Sequence, residues 1–132
     1  MTMPKPAMRD RYLADSVATA SPAKLLVMLY DRLVLDITRG EEALRNGNFQ
    51  EGSKQLLHAQ DIVLELRTSL EVGSWEGGPG LAQLYDFLLS ELIAANVKRD
   101  PERAAGARIL TEPLRDAWRE AAAATAATSP AA

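Results

Sequence analysis

The chain of 132 residues has no cysteine, one histidine, two phenylalanines, two tryptophans and three tyrosines. Without cysteine it forms neither disulfides nor thiolate zinc sites, and a reducing compartment is the default expectation. The scarcity of aromatic residues, beside abundant alanine and leucine, favours helices over strands because those two residues are strong helix formers. We therefore expect an all-α protein of one domain, large enough to bury a working core.

Long apolar runs and a basic surface are also missing. No stretch approaches the roughly 18 apolar residues that a membrane-spanning helix needs, and the first residues contain no apolar signal-peptide core. The net charge of −3 and the isoelectric point near 5.2 argue against nucleic acid or an anionic membrane as a partner, because both bind basic surfaces. The sequence thus predicts a soluble cytoplasmic protein with no membrane insertion and no nucleic-acid partner.

The clearest local signal is a helix start at Ser21 and Pro22. Serine is a preferred N-cap because its hydroxyl accepts a hydrogen bond from the first turn. Proline at the next position costs nothing, since the N–H that it lacks would be unpaired there. Apolar residues then recur every three or four positions, until Asn46 and Gly47 predict a left-handed helix end.

The same reasoning gives four helices. They are predicted at residues 21–46, 48–72, 81–98 and 101–120. Short connections make successive helices antiparallel, which predicts an up-and-down four-helix bundle. Residues 1–20 form a leader with apolar Tyr12, Leu13 and Val17; it is too short to fold alone, so we expect it to pack on the bundle. Residues 121–132 are predicted to be a disordered, alanine-rich tail.

Inward faces are predicted from the apolar spacing. On the second helix they comprise two interleaved sets with a spacing of seven: Phe49, Leu56, Val63 and Leu70, with Gly52, Ala59 and Leu66. On the fourth helix they comprise Ala107, Leu110, Leu114, Ala117 and Trp118. Pro113 lies within that helix and predicts a kink, because it removes one backbone hydrogen bond.

Residues that could carry out chemistry are few. The histidine, His58, falls on the polar side of its helix, so a solvated residue is favoured over a general base or metal ligand. A di-iron bundle needs a glutamate three residues before each histidine, and Gln55 stands there instead. Four carboxylates of the first helix are interpreted as surface residues: Asp31, Asp36, Glu41 and Glu42. The sequence therefore predicts no catalysis, no metal and no cofactor.

The more informative anomaly is apolar side chains outside the predicted core faces. They occur as one pair on each of three helices: Met28 and Leu35, Leu57 and Leu64, and Leu89 and Ile93. Helices that bury a second face within the bundle would explain any single pair. Three pairs favour grooves for a partner segment, with the leader as their cover when the partner is absent.

The same residues carry a resemblance to a known family. Residues 12–31, with a threonine-alanine-serine-proline element and a leucine-rich run ending in Tyr30 and Asp31, resemble the flagellar secretion chaperones of the FliS family. The similarity continues through the L-x-x-L-Y-D-F-L run at residues 81–88, Asn96, and Leu-Arg-Asp-Ala-Trp at residues 114–118. Together these motifs span nearly the whole chain.

The resemblance implies a helical bundle without enzymatic activity that binds the disordered C-terminal segment of flagellin in the cytoplasm. It further implies that binding prevents premature polymerisation and assists delivery to the flagellar export apparatus. The leader of such proteins occupies a groove when no client is bound, and Tyr12 matches the family's leader tyrosine. A component of the export apparatus and a second copy in a homodimer stay open as further partners. The alternative function is a non-catalytic module that oligomerises through its extra apolar stripes.

Overall fold

A computed structural model describes residues 21–74 and 76–128. Over these residues the chain consists of helices and connections, with no strand. The four α-helices are α1, Pro22–Arg45; α2, Phe49–Ser69; α3, Gly78–Lys98; and α4, Pro101–Thr128; a short 3-10 turn spans Val72–Ser74. The prediction of an all-α four-helix fold is confirmed. The leader, on which the sequence places Tyr12, Leu13 and Val17, lies outside the described residues.

The helices form a ring in chain order. Helices α1 and α3 each pack against both α2 and α4. Arg45 at the end of α1 pairs with Glu102 at the start of α4, whereas Asp31 near the beginning of α1 pairs with Arg119. These two pairs fix α1 and α4 as antiparallel, as an up-and-down bundle requires.

The caps explain where α1 and α2 begin. The Ser21 hydroxyl accepts a hydrogen bond from the Lys24 N–H at 3.2 Å, and Pro22 is the first helical residue. Gly47 has a φ of 76°, a conformation that glycine adopts without strain. The Asn48 side chain then accepts from the Glu51 N–H at 3.3 Å and starts α2. Both starts agree with the sequence analysis to within one residue.

The α2–α3 connection differs from the prediction. Helix α2 ends at Ser69 rather than 72, and α3 begins at Gly78 rather than 81. Gly78 allows this early start, because a Cβ there would lie 2.1 Å from the carbonyl oxygen of Val72. Pro79 occupies the first turn of α3, where its missing N–H has no helical acceptor.

Helix α4 extends well beyond the predicted bundle. It continues as one helix through Pro113 to Thr128, so the prediction of disorder is wrong for residues 121–128. Alanine has the highest helix propensity, and the run that suggested low complexity is for that reason a good helix. The Thr125 hydroxyl bonds back to the carbonyl oxygen of Ala121 at 2.9 Å. A kink at Pro113 stays a prediction.

The core lies along the bundle axis and draws on all four helices. Its largest fully buried side chains are Tyr30, Tyr85, Leu33, Ile37, Leu56, Leu88, Leu92, Val63, Thr111 and Asp36. The predicted face of α2 is buried except at Phe49, which is exposed, and Leu70, which is partly buried.

The predicted face of α4 is partly wrong. Leu110 and Ala117 are exposed, whereas Ala104 and Thr111 are fully buried. This face can lie inward since the Thr111 hydroxyl donates to the carbonyl oxygen of Ala107 at 2.6 Å. A hydroxyl satisfied within its own helix can be buried without losing a hydrogen bond. Periodicity alone counted threonine as polar and therefore missed it.

Candidate functional site

The six apolar side chains predicted to lie outside the core differ in their exposure. Met28, Leu35, Leu57, Leu64 and Ile93 are 36% to 49% exposed. Leu89, by contrast, is partly buried and packs against the core. Leu89 therefore lies beside the inward face of α3 rather than within it, and it is less exposed than the other five side chains.

A groove between α2 and α3 collects part of this exposed set. A cavity of about 770 Å³ there is lined by Leu57 and Phe49 of α2 and by Val97 of α3, together with the polar residues Gln50, Ser53, Lys54, Asn96 and Arg99. Leu64 follows Leu57 by two turns, and Ile93 precedes Val97 by one, so both continue the same flanks. We call Phe49, Leu57, Leu64, Ile93 and Val97 the α2–α3 strip.

Two members of the strip were not predicted. Val97 is the most exposed large apolar side chain of the bundle at 75%, and Phe49 had been placed in the core. Val97 was detectable, because it stands one turn after Ile93. Phe49 was not, because its exposure depends on α3: the Arg99 guanidinium lies 4.5 Å from its ring centre, a cation–π contact that holds the ring at the surface.

Met28 and Leu35 lie on a different face. They are two turns apart on α1, and Arg32 stands between them in sequence. Arg32 lines a cavity of about 500 Å³ between α1 and α2, together with Arg39, Lys54, Gln55, Leu57, His58 and Asp61. This face is therefore mixed in charge and apolar character, and Leu57 and Lys54 line both this cavity and the one at the α2–α3 strip.

His58 and Asp36 form an unpredicted link between α1 and α2. The interpretation of Asp36 as a surface carboxylate is wrong: its side chain is fully buried, accepts from the Arg32 Nε at 2.9 Å and contacts the His58 Nδ1. His58 itself is about half exposed, as its polar position suggested. A buried carboxylate is tolerated because two partners satisfy it. Within residues 21–74 and 76–128 no group of three or more carboxylates or histidines could hold a metal ion.

The most apolar opening lies at the end of the bundle where the chain enters α1. This end cavity has a volume of about 500 Å³ and is lined by residues of all four helices: Pro22, Leu25, Leu26, Leu29, Leu66, Ser69, Leu70, Glu71, Leu81, Tyr85 and Trp118. Several of these had been predicted to be core. Among the described residues of the α2–α3 connection, Leu70 and Glu71 lie in its wall.

Two buried tyrosines meet beside the end cavity. The Tyr30 and Tyr85 hydroxyl oxygens lie 2.6 Å apart and share a hydrogen bond. The Trp118 ring is 6.4 Å from the Tyr30 ring, centre to centre, and tilted by 40°. Burial raises the pKa of both tyrosines, although hydrogen bonds from Tyr85 and Trp118 oppose the rise for Tyr30. Both phenols are therefore neutral near pH 7, and each keeps its hydrogen.

Charged side chains cross the boundary between α1 and α4. Three ion pairs cross from α1 to α4: Arg45 with Glu102 at 2.8 Å, Glu41 with Arg108 at 2.9 Å, and Asp31 with Arg119 at 2.6 Å. Burial alone would raise the pKa of Glu41, but hydrogen bonds from Arg108 and Arg45 outweigh it and leave the pKa below its ordinary value. We call these pairs the α1–α4 seam.

Comparison with known proteins places this architecture. The family model described as flagellar protein FliS matches residues 4–125, nearly the whole chain. The chain belongs to the FliS family. Among the residues that the structure describes, no helix of this FliS-family bundle is long and apolar enough to cross a membrane.

Curated relatives agree with this assignment. The flagellar secretion chaperone FliS of Bacillus subtilis is 31% identical over 110 residues, which is 83% of this chain and 82% of the relative. That of Vibrio cholerae is 31% identical over 108 residues, 79% of this chain and 77% of the relative. A crystal structure of a flagellar chaperone from bacteria matches with a TM-score of 0.70 at 24% identity, covering 89% of this chain and 97% of the other, and supports the fold.

Proposed function

We propose that this FliS-family protein is a cytoplasmic export chaperone, without enzymatic activity, for the disordered C-terminal segment of flagellin. Binding keeps that segment from polymerising early and assists its delivery to the flagellar export apparatus. The observation that carries the proposal is the α2–α3 strip, because a line of half-exposed apolar side chains is a hazard to a free protein unless a partner covers it. The curated relatives are named flagellar secretion chaperones, which supports the same conclusion.

The strip suits a helical segment better than a small molecule. Its members repeat along two helices, so an amphipathic helix can lay its apolar face between them and reach successive side chains. Covering roughly 600 Å² of apolar surface would contribute about 15 kcal/mol before ordering costs, at about 25 cal/mol per Å². Several kcal/mol of this is offset by folding the client on contact.

The end cavity suits the leader. Residues 1–20 join the bundle at Ser21, and the next residue, Pro22, lines the cavity. Val17 is four residues before Ser21 and can lie about 13 Å from it in extended chain, while Tyr12, nine residues before, can lie about 30 Å away, at ~3.3 Å per residue. We place the leader's apolar residues over this cavity in the free protein, where the client competes with them.

Purified protein and a synthetic peptide of the last 40 or so residues of the same organism's flagellin would test the proposal. Calorimetry should give a one-to-one complex, and circular dichroism should record a gain of helix on mixing. A peptide of the same composition in scrambled order serves as the control. A stable homodimer that ignores the flagellin peptide would contradict the chaperone function and favour the oligomerisation module instead.

A further inference from the structure

Basic side chains dominate the cavity between α1 and α2. Its lining contains four residues that can carry positive charge and, among the described residues, a single carboxylate: Arg32, Arg39, Lys54 and His58, with Asp61. The whole chain has a net charge of −3, so this cluster runs against the overall balance. We call it the basic cavity. Its electrostatic complement is an anionic group.

A buried carboxylate holds part of this lining in place. Asp36 is fully buried, accepts a hydrogen bond from the Arg32 Nε at 2.9 Å and contacts the His58 Nδ1. Arg32 and His58 are themselves about half exposed. The Nε–H is one of five donors on a guanidinium, so its bond to Asp36 leaves the four donors of the terminal nitrogens for a ligand. Two members of the cavity are therefore oriented before any ligand binds, which lowers the entropy cost of binding.

Arg39 and Lys54 supply charge that no described carboxylate neutralises. Both are exposed, and neither they nor Asp61 take part in any ion pair found among the described residues. The buried Asp36 already has two partners. A carboxylate that enters the cavity therefore pairs with Arg39 and Lys54 without breaking an ion pair of the bundle.

The basic cavity is continuous with the α2–α3 strip. Leu57 lines both the basic cavity and the cavity at the strip, and so does Lys54, one turn before it on α2. An amphipathic helix that covers Leu57 with its apolar face brings the edge of that face to Lys54, and such helices carry charged residues beyond that edge. One segment can thus meet both surfaces, and an acidic edge fits the basic cavity by charge.

We propose that the basic cavity binds an acidic side chain of the client, on the α1-facing edge of the segment whose apolar face covers the α2–α3 strip. Arginine binds a carboxylate through paired N–H donors, and lysine adds a point charge. This inference rests on the proposed function, because it takes the client as the occupant of the strip. It adds a charge requirement to a surface that otherwise selects for apolar side chains.

Neutral variants of the full-length protein test the cavity. Arg39→Gln combined with Lys54→Gln should weaken binding of the flagellin peptide about fivefold in about 50 mM NaCl, the effect of two partly exposed ion pairs. In about 0.5 M NaCl the difference should fall below about twofold, because salt screens exposed charges. Lys24→Gln with Lys98→Gln removes the same charge from exposed positions outside the cavity and should bind like the wild type. Both double variants should keep the wild-type melting temperature.

Variant peptides then locate the acidic side chain. Each aspartate and glutamate of the flagellin peptide is replaced in turn by asparagine or glutamine, and calorimetry measures binding to the wild type and to the Arg39→Gln, Lys54→Gln protein. One replacement should weaken binding to the wild type about fivefold and leave binding to the double variant unchanged, because that variant has already lost the pair. A peptide amidated at its C-terminus should bind like the unmodified one.

Other results would overturn the inference. Equal weakening by the two double variants would reduce the effect to net charge. Peptide replacements that act equally on the wild type and on the Arg39→Gln, Lys54→Gln protein would place the carboxylate outside the cavity, and a loss on amidation alone would assign the charge to the chain terminus. Wild-type protein that binds the peptide as tightly as both double variants would keep the proposed function and refute this inference. Wild-type protein that does not bind the peptide would overturn both.

Discussion

Two boundaries of the same bundle are built in opposite ways. Among the described residues, three ion pairs cross the α1–α4 seam, whereas one, Arg67 with Asp86 at 3.1 Å, crosses the α2–α3 groove. The groove also carries exposed apolar side chains, with Lys54 and Arg99 among them. Both boundaries join antiparallel neighbours of similar length. Geometry therefore does not explain the difference; the side chains placed along the flanks do.

The difference indicates which boundary of the bundle still has apolar surface whose burial can stabilise a complex with a partner. Long arginine side chains cover apolar surface with their methylene stems while each exposed ion pair adds little, so the α1–α4 seam is closed without much electrostatic gain. The α2–α3 strip has leucine, isoleucine and valine at the equivalent outer positions, and these leave apolar surface in water. The first boundary therefore covers its own apolar surface, whereas the second leaves apolar surface that a partner can cover.

The largest expected effect separates two neighbours on α3. Leu92 is fully buried and Ile93 is 44% exposed. Leu92→Ala should lower the free energy of unfolding by about 2–5 kcal/mol, because it removes core contacts and leaves a cavity. Ile93→Ser should change it by less than about 1 kcal/mol. Urea unfolding monitored by circular dichroism measures both, and similar losses would mean that Ile93 belongs to the core.

The second effect concerns client affinity at the strip. Leu57→Ser combined with Leu64→Ser should weaken binding of the flagellin peptide about 30-fold, because each half-exposed leucine contributes roughly 1 kcal/mol and 1.4 kcal/mol is tenfold. The melting temperature should hardly move. Arg45→Gln with Glu102→Gln, a double variant in the α1–α4 seam, is the control and should bind like the wild type. Equal weakening by both double variants would remove the distinction between the boundaries.

Local sequence signals predicted the helices well because they act over a few residues. The Ser21–Pro22 start, the Asn48 cap and the seven-residue spacing of Leu56 and Val63 all depend on neighbours in the chain, and the structure keeps them. The exposure of Leu57 followed in the same way, from its offset relative to that inward face. The fold class and the apolar stripes could therefore be predicted from the spacing of apolar residues along each helix.

Features that arise between helices were missed. The burial of Asp36 requires His58 from another helix, so no pattern within α1 could indicate it. Thr111 can be buried because a carbonyl oxygen of its own helix accepts the hydrogen bond from its hydroxyl. A classification of residues as polar or apolar does not include such bonds. The end cavity exists only where the ends of α1, α2 and α3 meet the side of α4 at Trp118. The pairing of Tyr30 with Tyr85 likewise joins residues far apart in sequence.

A smaller effect is expected on the mixed face of α1. Met28→Ser combined with Leu35→Ser should weaken flagellin-peptide binding about eightfold, less than the change at the strip, because Met28 and Leu35 are less exposed than Leu57 and Leu64. The melting temperature should stay nearly constant, since both side chains are more than a third exposed. A large fall in melting temperature would assign Met28 and Leu35 to the core. Unchanged affinity would confine the client to the groove between α2 and α3.

Removing the leader should act in the opposite direction. Suppose that residues 1–17 occupy the end cavity for about four fifths of the time. Deleting them then raises the apparent client affinity about fivefold, because all molecules rather than one fifth of them are free to bind the client. Titration of the truncated protein with flagellin peptide measures this change. Weaker binding would indicate that Tyr12 contacts the client directly. The deletion should leave a Leu57→Ser, Leu64→Ser variant still weak, because the strip and the end cavity are separate surfaces.

The smallest expected effect concerns the stability that the ion pairs of Glu41 add at the α1–α4 seam. Glu41 has a lowered pKa, so its ion pairs add stability that is present above the unfolded value near 4.5 and is lost as the pH falls through the lower folded value. Glu41→Gln should therefore cost about 0.5 kcal/mol at pH 7 and less at about pH 3, because protonation of the wild-type carboxyl removes the same charge. Glu42→Gln is the matched control, because the adjacent Glu42 takes part in none of the ion pairs found among the described residues. Unfolding curves at both pH values measure the difference, and flagellin-peptide affinity should be the same in both variants. A loss of affinity in Glu41→Gln would mean that the closed boundary also touches the client, and the two boundaries would then differ in chemistry but not in use.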